Sequence, residues 1–227
     1  MLYNFIKNIN NLRKAWVDLR RFNNLPISNK RIVFYAETYA DWAFLDPVIE
    51  SLTSLNESII RITSDIDDKY LNQKNVYYVG FGAARTYLFR TIDTKACVMT
   101  LPDLDTFYLK RSLNNVHYFY IFHSMASTHR VYREHAFDSY DTIFCVGQHQ
   151  IDEIKKTEEV YNLKKKNLEE AGYGRLDILI KENDEIKISN NNRLLKKVLV
   201  APSWGECSLV GKNLESIINI LLTNNFI

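Results

Sequence analysis

Long hydrophobic runs are missing from this chain of 227 residues: no apolar stretch is long enough to span a bilayer, and no signal-peptide pattern with a cleavage site opens it. Cysteine is scarce. The three present, Cys97, Cys145 and Cys207, stand in apolar contexts without metal-ligand spacing. That excludes a disulfide framework and a zinc site, and predicts buried reduced thiols in a cytosolic protein. An excess of charge of either sign is also lacking. Lys+Arg 29 against Asp+Glu 27 leaves a net charge of +2, and no long basic block occurs. Nucleic-acid binding is therefore not expected, and any anionic partner has to be met locally. What is abundant is core material, 46% hydrophobic residues and 13% aromatics, enough for a packed globular protein of one large or two small domains.

The first segment is an amphipathic helix. In residues 1–22, Leu2, Phe5, Ile6, Ile9, Leu12, Trp16, Leu19 and Phe22 recur at three- and four-residue spacing, with Lys7, Arg13, Lys14, Arg20 and Arg21 elsewhere on the wheel. Such a helix can lie in a membrane interface, or it can pack on its own domain. Asn23 to Pro26 ends it.

From Arg31 onward, strand-like and helix-like segments alternate. Strands are expected at 31–36, 59–63, 76–79, 96–101, 116–122 and 142–146, and helices at 41–55, 83–91, 125–137 and 149–161. This alternation predicts an α/β fold with a mainly parallel sheet and helices on both faces. The polar stretch 181–196 reads as an interdomain linker. After it, a strand at 197–201, the turn Pro202-Ser203-Trp204-Gly205 and a helix through Leu222 look like the opening of a second α/β domain. The expected organisation is thus an amphipathic helix (1–25), one complete domain (26–180), a linker (181–196) and the start of another domain (197–227).

In parallel sheets ligands gather at the carboxyl ends of strands. The apolar strand 116–122 runs straight into His123-Ser124-Met125-Ala126-Ser127-Thr128-His129-Arg130. A histidine at a strand end and near a helix start is a candidate general base, because a helix N-terminus disfavours the imidazolium. Ser124, Ser127 and Thr128 are candidates for capping that helix or for holding a phosphate with its free N–H groups. His123, His129 and His135 repeat every six residues, which does not place three imidazoles on one helical face, so no metal site is expected. Arg130 and Arg133 read either as a phosphate clamp or as a solvated face. Gly80-Phe81-Gly82-Ala83-Ala84-Arg85 is a truncated dinucleotide fingerprint without its third glycine, and reads as a tight strand-to-helix turn. Glu37 and Asp41 follow the first strand, and Glu37 is kept as a candidate acid or base.

Four ordered patterns then point to one family. Tyr39-Ala40-Asp41-Trp42-Ala43-Phe44-Leu45-Asp46-Pro47, Phe122-His123-Ser124, Gly172-Tyr173-Gly174-Arg175-Leu176-Asp177 and Val200-Ala201-Pro202-Ser203-Trp204-Gly205-Glu206 together resemble the CDP-glycerol glycerophosphotransferases that build teichoic-acid-like polymers. The family's Trp-His-Gly strand end matches at His123, its Gly-x-Pro-Arg-x-Asp segment at 172–177, and its Ala-Pro-Thr-Trp strand end at 201–204. Ser124 stands where the family has glycine and Gly174 where it has proline.

The resemblance implies a GT-B-like arrangement of two Rossmann-like domains, an N-terminal acceptor side and a C-terminal side that binds the CDP-linked donor. It implies that His123 deprotonates the acceptor hydroxyl, which attacks the β-phosphate of CDP-glycerol and releases CMP. It adds Arg175, Asp177, Ser203 and Gly205 to the substrate-binding candidates. No tightly bound cofactor is implied; CDP-glycerol is the donor substrate, and the acceptor is a lipid-linked or polymeric one. The expected location is the cytoplasm, at the inner face of the cell membrane. The family's donor-binding residues lie in the later part of its C-terminal domain, so this chain by itself is expected to have little transferase activity. Competing readings are a GT-B glycosyltransferase or nucleotide-sugar epimerase, and a non-catalytic interaction module.

Overall fold

The computed structural model describes residues 2–106, 109–189, 199–201 and 214–223. Seven strands form one sheet: β1 (Ile32–Ala36), β2 (Ile59–Thr63), β3 (Val76–Tyr78), β4 (Ala96–Met99), β5 (His117–Ile121), β6 (Thr142–Cys145) and β7 (Asn167–Glu170). Every neighbouring pair is parallel, and the order is β3-β2-β1-β4-β5-β6-β7. This is a Rossmann-like sheet, and its order reverses between β1 and β4. In open α/β sheets such a reversal is where ligands commonly bind.

The central strands are apolar on both sides because both faces are covered. Along β1, Val33 and Tyr35 face one core while Phe34 and Ala36 face the other. The first core takes α1 (Leu2–Asn23) through Ala15, Leu19 and Phe22, α3 (Ala83–Thr91) through Leu88 and Phe89, and α5 (Gln148–Val160) through Ile151 and Ile154. The second takes α2 (Trp42–Ser54) through Trp42, Leu45 and Ile49. Each such side chain contributes about 1.5–3 kcal/mol on full burial. Cys97 and Cys145 lie in the first core as free thiols, and burial pushes both up to about 12.

Helix α1 packs on its own domain. Its buried Asp18 pairs with Lys14 at 3.0 Å and Arg21 at 2.9 Å, and accepts the Tyr78 N–H of β3 at 3.2 Å. That bond occupies a backbone donor of the edge strand and fixes the helix against it. A second stripe stays in solvent: Ile9, Leu12 and Trp16 are 49%, 51% and 41% exposed.

The expected strands at 31–36, 59–63, 76–79, 96–101, 116–122 and 142–146 are all present with small trims. Two elements were not expected, β7 and α6 (Gly174–Ser189), and one shrinks. In place of a helix over 125–137 there is a single turn, α4 (Thr128–Val131), after which Tyr132 is extended at φ −102°, ψ 149°. Tertiary packing overrides the local pattern, since the Tyr132 ring inserts among Tyr120, Phe122 and Phe137.

The chain divides into two compact units, Met1–Asp177 and Ile178–Ile227. The stretch expected as a linker begins inside α6, which reaches Ser189. Residues 199–201 carry no strand, and 197–198 lie outside the described residues. The second unit contains a helix at Leu214–Thr223, whose Ile218, Ile220 and Leu222 are exposed.

Candidate functional site

Strand β5 ends at Ile121, and His123 stands just beyond it at the carboxyl edge of the sheet. Its Nδ1 lies 3.2 Å from the carbonyl oxygen of Thr100, which follows β4. A carbonyl only accepts, so in the neutral ring Nδ1 carries the proton and Nε2 keeps a free lone pair. The ring is held edge-on by two aromatics, Phe44 of α2 at 6.2 Å and Tyr132 at 5.9 Å. The Tyr173 hydroxyl donates to the His123 carbonyl at 3.0 Å, and the Tyr173 ring packs 5.9 Å from Phe44. Arg175 lies over Phe44, its guanidinium carbon 5.8 Å from the ring centre. Burial raises the Tyr173 phenol pKa, with Arg175 acting in the opposite sense. Four parts of the chain, residues 44, 123, 132 and 173–175, thus converge on one half-buried histidine.

The two departures from the family pattern are accommodated locally. The Ser124 hydroxyl accepts the Ala126 N–H at 3.1 Å and closes the turn after the base. Gly174 comes so close to α2 that an added Cβ would lie 2.9 Å from both Cβ and Cγ of Pro47. Only glycine fits that approach without movement.

The expected helix N-terminus next to His123 is not there, because α4 begins at Thr128 and makes one turn. Its first donors are also taken. Glu153 accepts the Thr128 N–H at 2.6 Å and the Thr128 hydroxyl at 2.7 Å. Burial works to raise the Glu153 carboxyl, yet the hydrogen bonds from Thr128 and Ser127 outweigh it and hold the group below its ordinary value. An anion at this turn would meet a carboxylate. Ser127 faces His129 at 3.0 Å, and Arg130 is exposed. Arg133 is bound to Asp103 and Thr106, so it does not join Arg130 in a clamp.

Glu37 is not beside His123. Their strands are separated by β4, a lateral distance of about 10 Å. Glu37 instead accepts Arg85 at 2.8 Å, and Arg85 also reaches the Tyr35 hydroxyl at 3.4 Å. Burial pushes the Tyr35 phenol up to about 12, and its oxygen is 2.7 Å from Ser64 Oγ, which donates to the Gly80 carbonyl at 2.6 Å. The glycine-rich turn, with Gly80 at φ +61°, is therefore tied down by protein groups. Asp177 is exposed in the first turn of α6, and Ser203 and Gly205 lie outside the described residues.

A cavity of about 430 Å³ opens between residues 128–138 and α5, and Tyr132 forms part of its wall. Its charges are largely satisfied internally, by His135 with Asp138 at 2.7 Å and Lys166 with Glu158 at 3.3 Å. His123 does not line it. No cluster of metal-ligating side chains occurs among the described residues. None of the described helices is long and apolar enough to cross a membrane.

No family model and no curated protein matches the sequence. Among solved structures, a match is found to a histidine-to-asparagine variant of the wall teichoic acid polymerase TagF, with a TM-score of 0.52 and 16% identity. This chain is similar in fold to TagF. The likeness covers 91% of this chain and 57% of the TagF chain, so this chain corresponds to little more than half of that polymerase. At this identity what is shared with TagF is the fold, and the chemistry has to be argued from the residues.

Proposed function

We propose that the unit Met1–Asp177 is the acceptor side of a polyol-phosphate transferase of the teichoic-acid type, with His123 as its general base. The carrying observation is the bond between His123 Nδ1 and the Thr100 carbonyl, which leaves Nε2 as an acceptor inside an aromatic collar at a strand end. In this reading the acceptor hydroxyl gives its proton to Nε2 as its oxygen bonds to the β-phosphorus of CDP-glycerol. The bond from that phosphorus to the bridging oxygen breaks, and the electron pair leaves with CMP. A histidine needs no resident metal or cofactor for its part in this step. In this reading the segment from residue 197 onward is the opening of the donor side.

The fold likeness to TagF is compatible with this class of reaction, and the ordered sequence patterns around His123 and Arg175 favour it over the epimerase and glycosyltransferase readings. The exposed stripe of Ile9, Leu12 and Trp16 supports a lipid-linked acceptor, since such a face can lie in a membrane interface. The test is CMP release from CDP-glycerol with a lipid-linked glycerol-phosphate acceptor, using protein produced from its own gene. Replacing His123→Asn should lower the rate by about 10²–10⁴-fold. An unchanged rate would overturn the proposal, as would sugar nucleotides serving as better donors.

A further inference from the structure

We propose that Gln150 is a positioning residue for His123, fixing from the first turn of α5 the loop that begins with the histidine. The inference rests on the reading of His123 as the base and adds to it what holds that base in place.

Between the end of β5 at Ile121 and the start of α4 at Thr128, the chain has neither helix nor strand to take up its carbonyl groups. A half-buried stretch of this kind needs partners from elsewhere. Side chains supply them for residues 123 to 126 in succession. The Tyr173 hydroxyl donates to the His123 carbonyl at 3.0 Å, and His149 Nε2 lies 3.3 Å from the Met125 carbonyl. The Gln150 amide donates to the Ser124 carbonyl at 3.3 Å and to the Ala126 carbonyl at 3.2 Å.

Gln150 differs from the other two side chains in being fully buried, 0% exposed, and in using both ends of its amide. Its Oε1 accepts the Val146 N–H at 2.8 Å, just beyond the end of β6. That contact fixes the oxygen on the β6 side and leaves the amide protons for the loop after β5. One side chain therefore ties together the ends of two neighbouring strands. A trans peptide unit holds its C=O and N–H on opposite sides, so capturing the Ser124 and Ala126 carbonyls also sets the planes of those peptides. An apolar side chain of the same size would leave the Val146 N–H and both carbonyls without these partners, and the loop would turn to find others. His123 is the first residue of that loop and would move with it. A displacement of about 1 Å at a reacting group can cost about 10²-fold in rate.

The test is ring-nitrogen NMR of His123 in the full 227-residue chain, run beside the transfer assay. The variants are Gln150→Met, the milder Gln150→Asn, and Ile154→Ala as a control that removes core packing one turn further along α5. Each is read at a temperature where circular dichroism shows it folded. In Gln150→Met the fraction of neutral ring protonated at Nδ1 should fall, and kcat should drop at least about tenfold with the acceptor KM within about twofold. Gln150→Asn keeps the amide but is one carbon too short to span both strand ends, and should shift the same signals in the same direction. Ile154→Ala should lose stability yet leave the His123 ring signals and kcat as in wild type. Wild-type ring signals in both Gln150 variants, or the same shift in Ile154→Ala, would overturn the proposal. If His123 is not the base, His123→Asn keeps the wild-type transfer rate while the ring signals still respond to Gln150→Met, so the two failures are distinguishable.

Discussion

His123 Nδ1 and the Thr100 carbonyl oxygen are 3.2 Å apart, and this one contact decides which nitrogen of the ring is left for chemistry. It also couples two strand ends, since Thr100 follows β4 and His123 follows β5. The neutral ring should then be the tautomer protonated at Nδ1. Nitrogen NMR of labelled protein checks this, and an unprotonated Nδ1 in the neutral ring would show that Thr100 does not set the base.

Acid lability should centre on Asp141. Burial works to raise its carboxyl, but Arg111 at 2.9 Å and the Tyr118 N–H at 2.9 Å outweigh that and hold it below the ordinary carboxylate value. A depressed folded value means that the stabilisation is complete above the unfolded value of about 4, and is lost as pH falls through the folded one. Urea denaturation from neutral pH to about pH 3 should show wild type well above Asp141→Asn at neutrality, with the gap closing on acidification. A gap that stays constant would refute this role.

The framework around the site was legible in the sequence because buried parallel strands are apolar on both faces. Strand β1 (Ile-Val-Phe-Tyr-Ala) and strand β5 (His-Tyr-Phe-Tyr-Ile) show it plainly. Strand β7 was not legible, because Asn167–Glu170 is a mostly exposed polar edge with no hydrophobic signature. The position of His123 just after β5 was legible, but its surroundings were not. Thr100, Phe44, Tyr132 and Tyr173 come from distant parts of the chain, and only the strand order brings them together. The misread helix at 125–137 has the same cause, since Tyr132 leaves the helix to pack on Phe122 and His123. Glu37 carried the right residue type at a strand end, yet the partner it finds is Arg85.

Gly174 should tolerate neither alanine nor the proline of the resembled family. Proline is otherwise favoured at the first position of a helix, where Gly174 stands, so the obstacle is Pro47 at 2.9 Å from the added Cβ. Either change should cost about 1–3 kcal/mol in chemical denaturation. Wild-type stability in Gly174→Ala would mean that the loop does not need this close approach.

Helix α1 should bind anionic vesicles through the stripe that its own domain leaves half exposed. Leu12 and Trp16 are about half exposed, with Arg13 and Arg20 exposed nearby, whereas Leu19 and Phe22 are core. Replacing Leu12→Ser and Trp16→Ser together should reduce vesicle partitioning at least about tenfold, measured at a temperature where circular dichroism shows the variant folded. Equal partitioning by the variant would remove the membrane role of the helix.

The central claim is that His123 takes a proton from the acceptor rather than merely bracing a strand end. The most direct measurement is the acceptor dependence of transfer by wild type and His123→Asn, with kcat and KM resolved. A base acts in the transition state, so kcat should fall by about 10²–10⁴-fold while the acceptor KM moves by no more than about twofold. A rise in KM with kcat preserved would contradict the account and make His123 a binding residue.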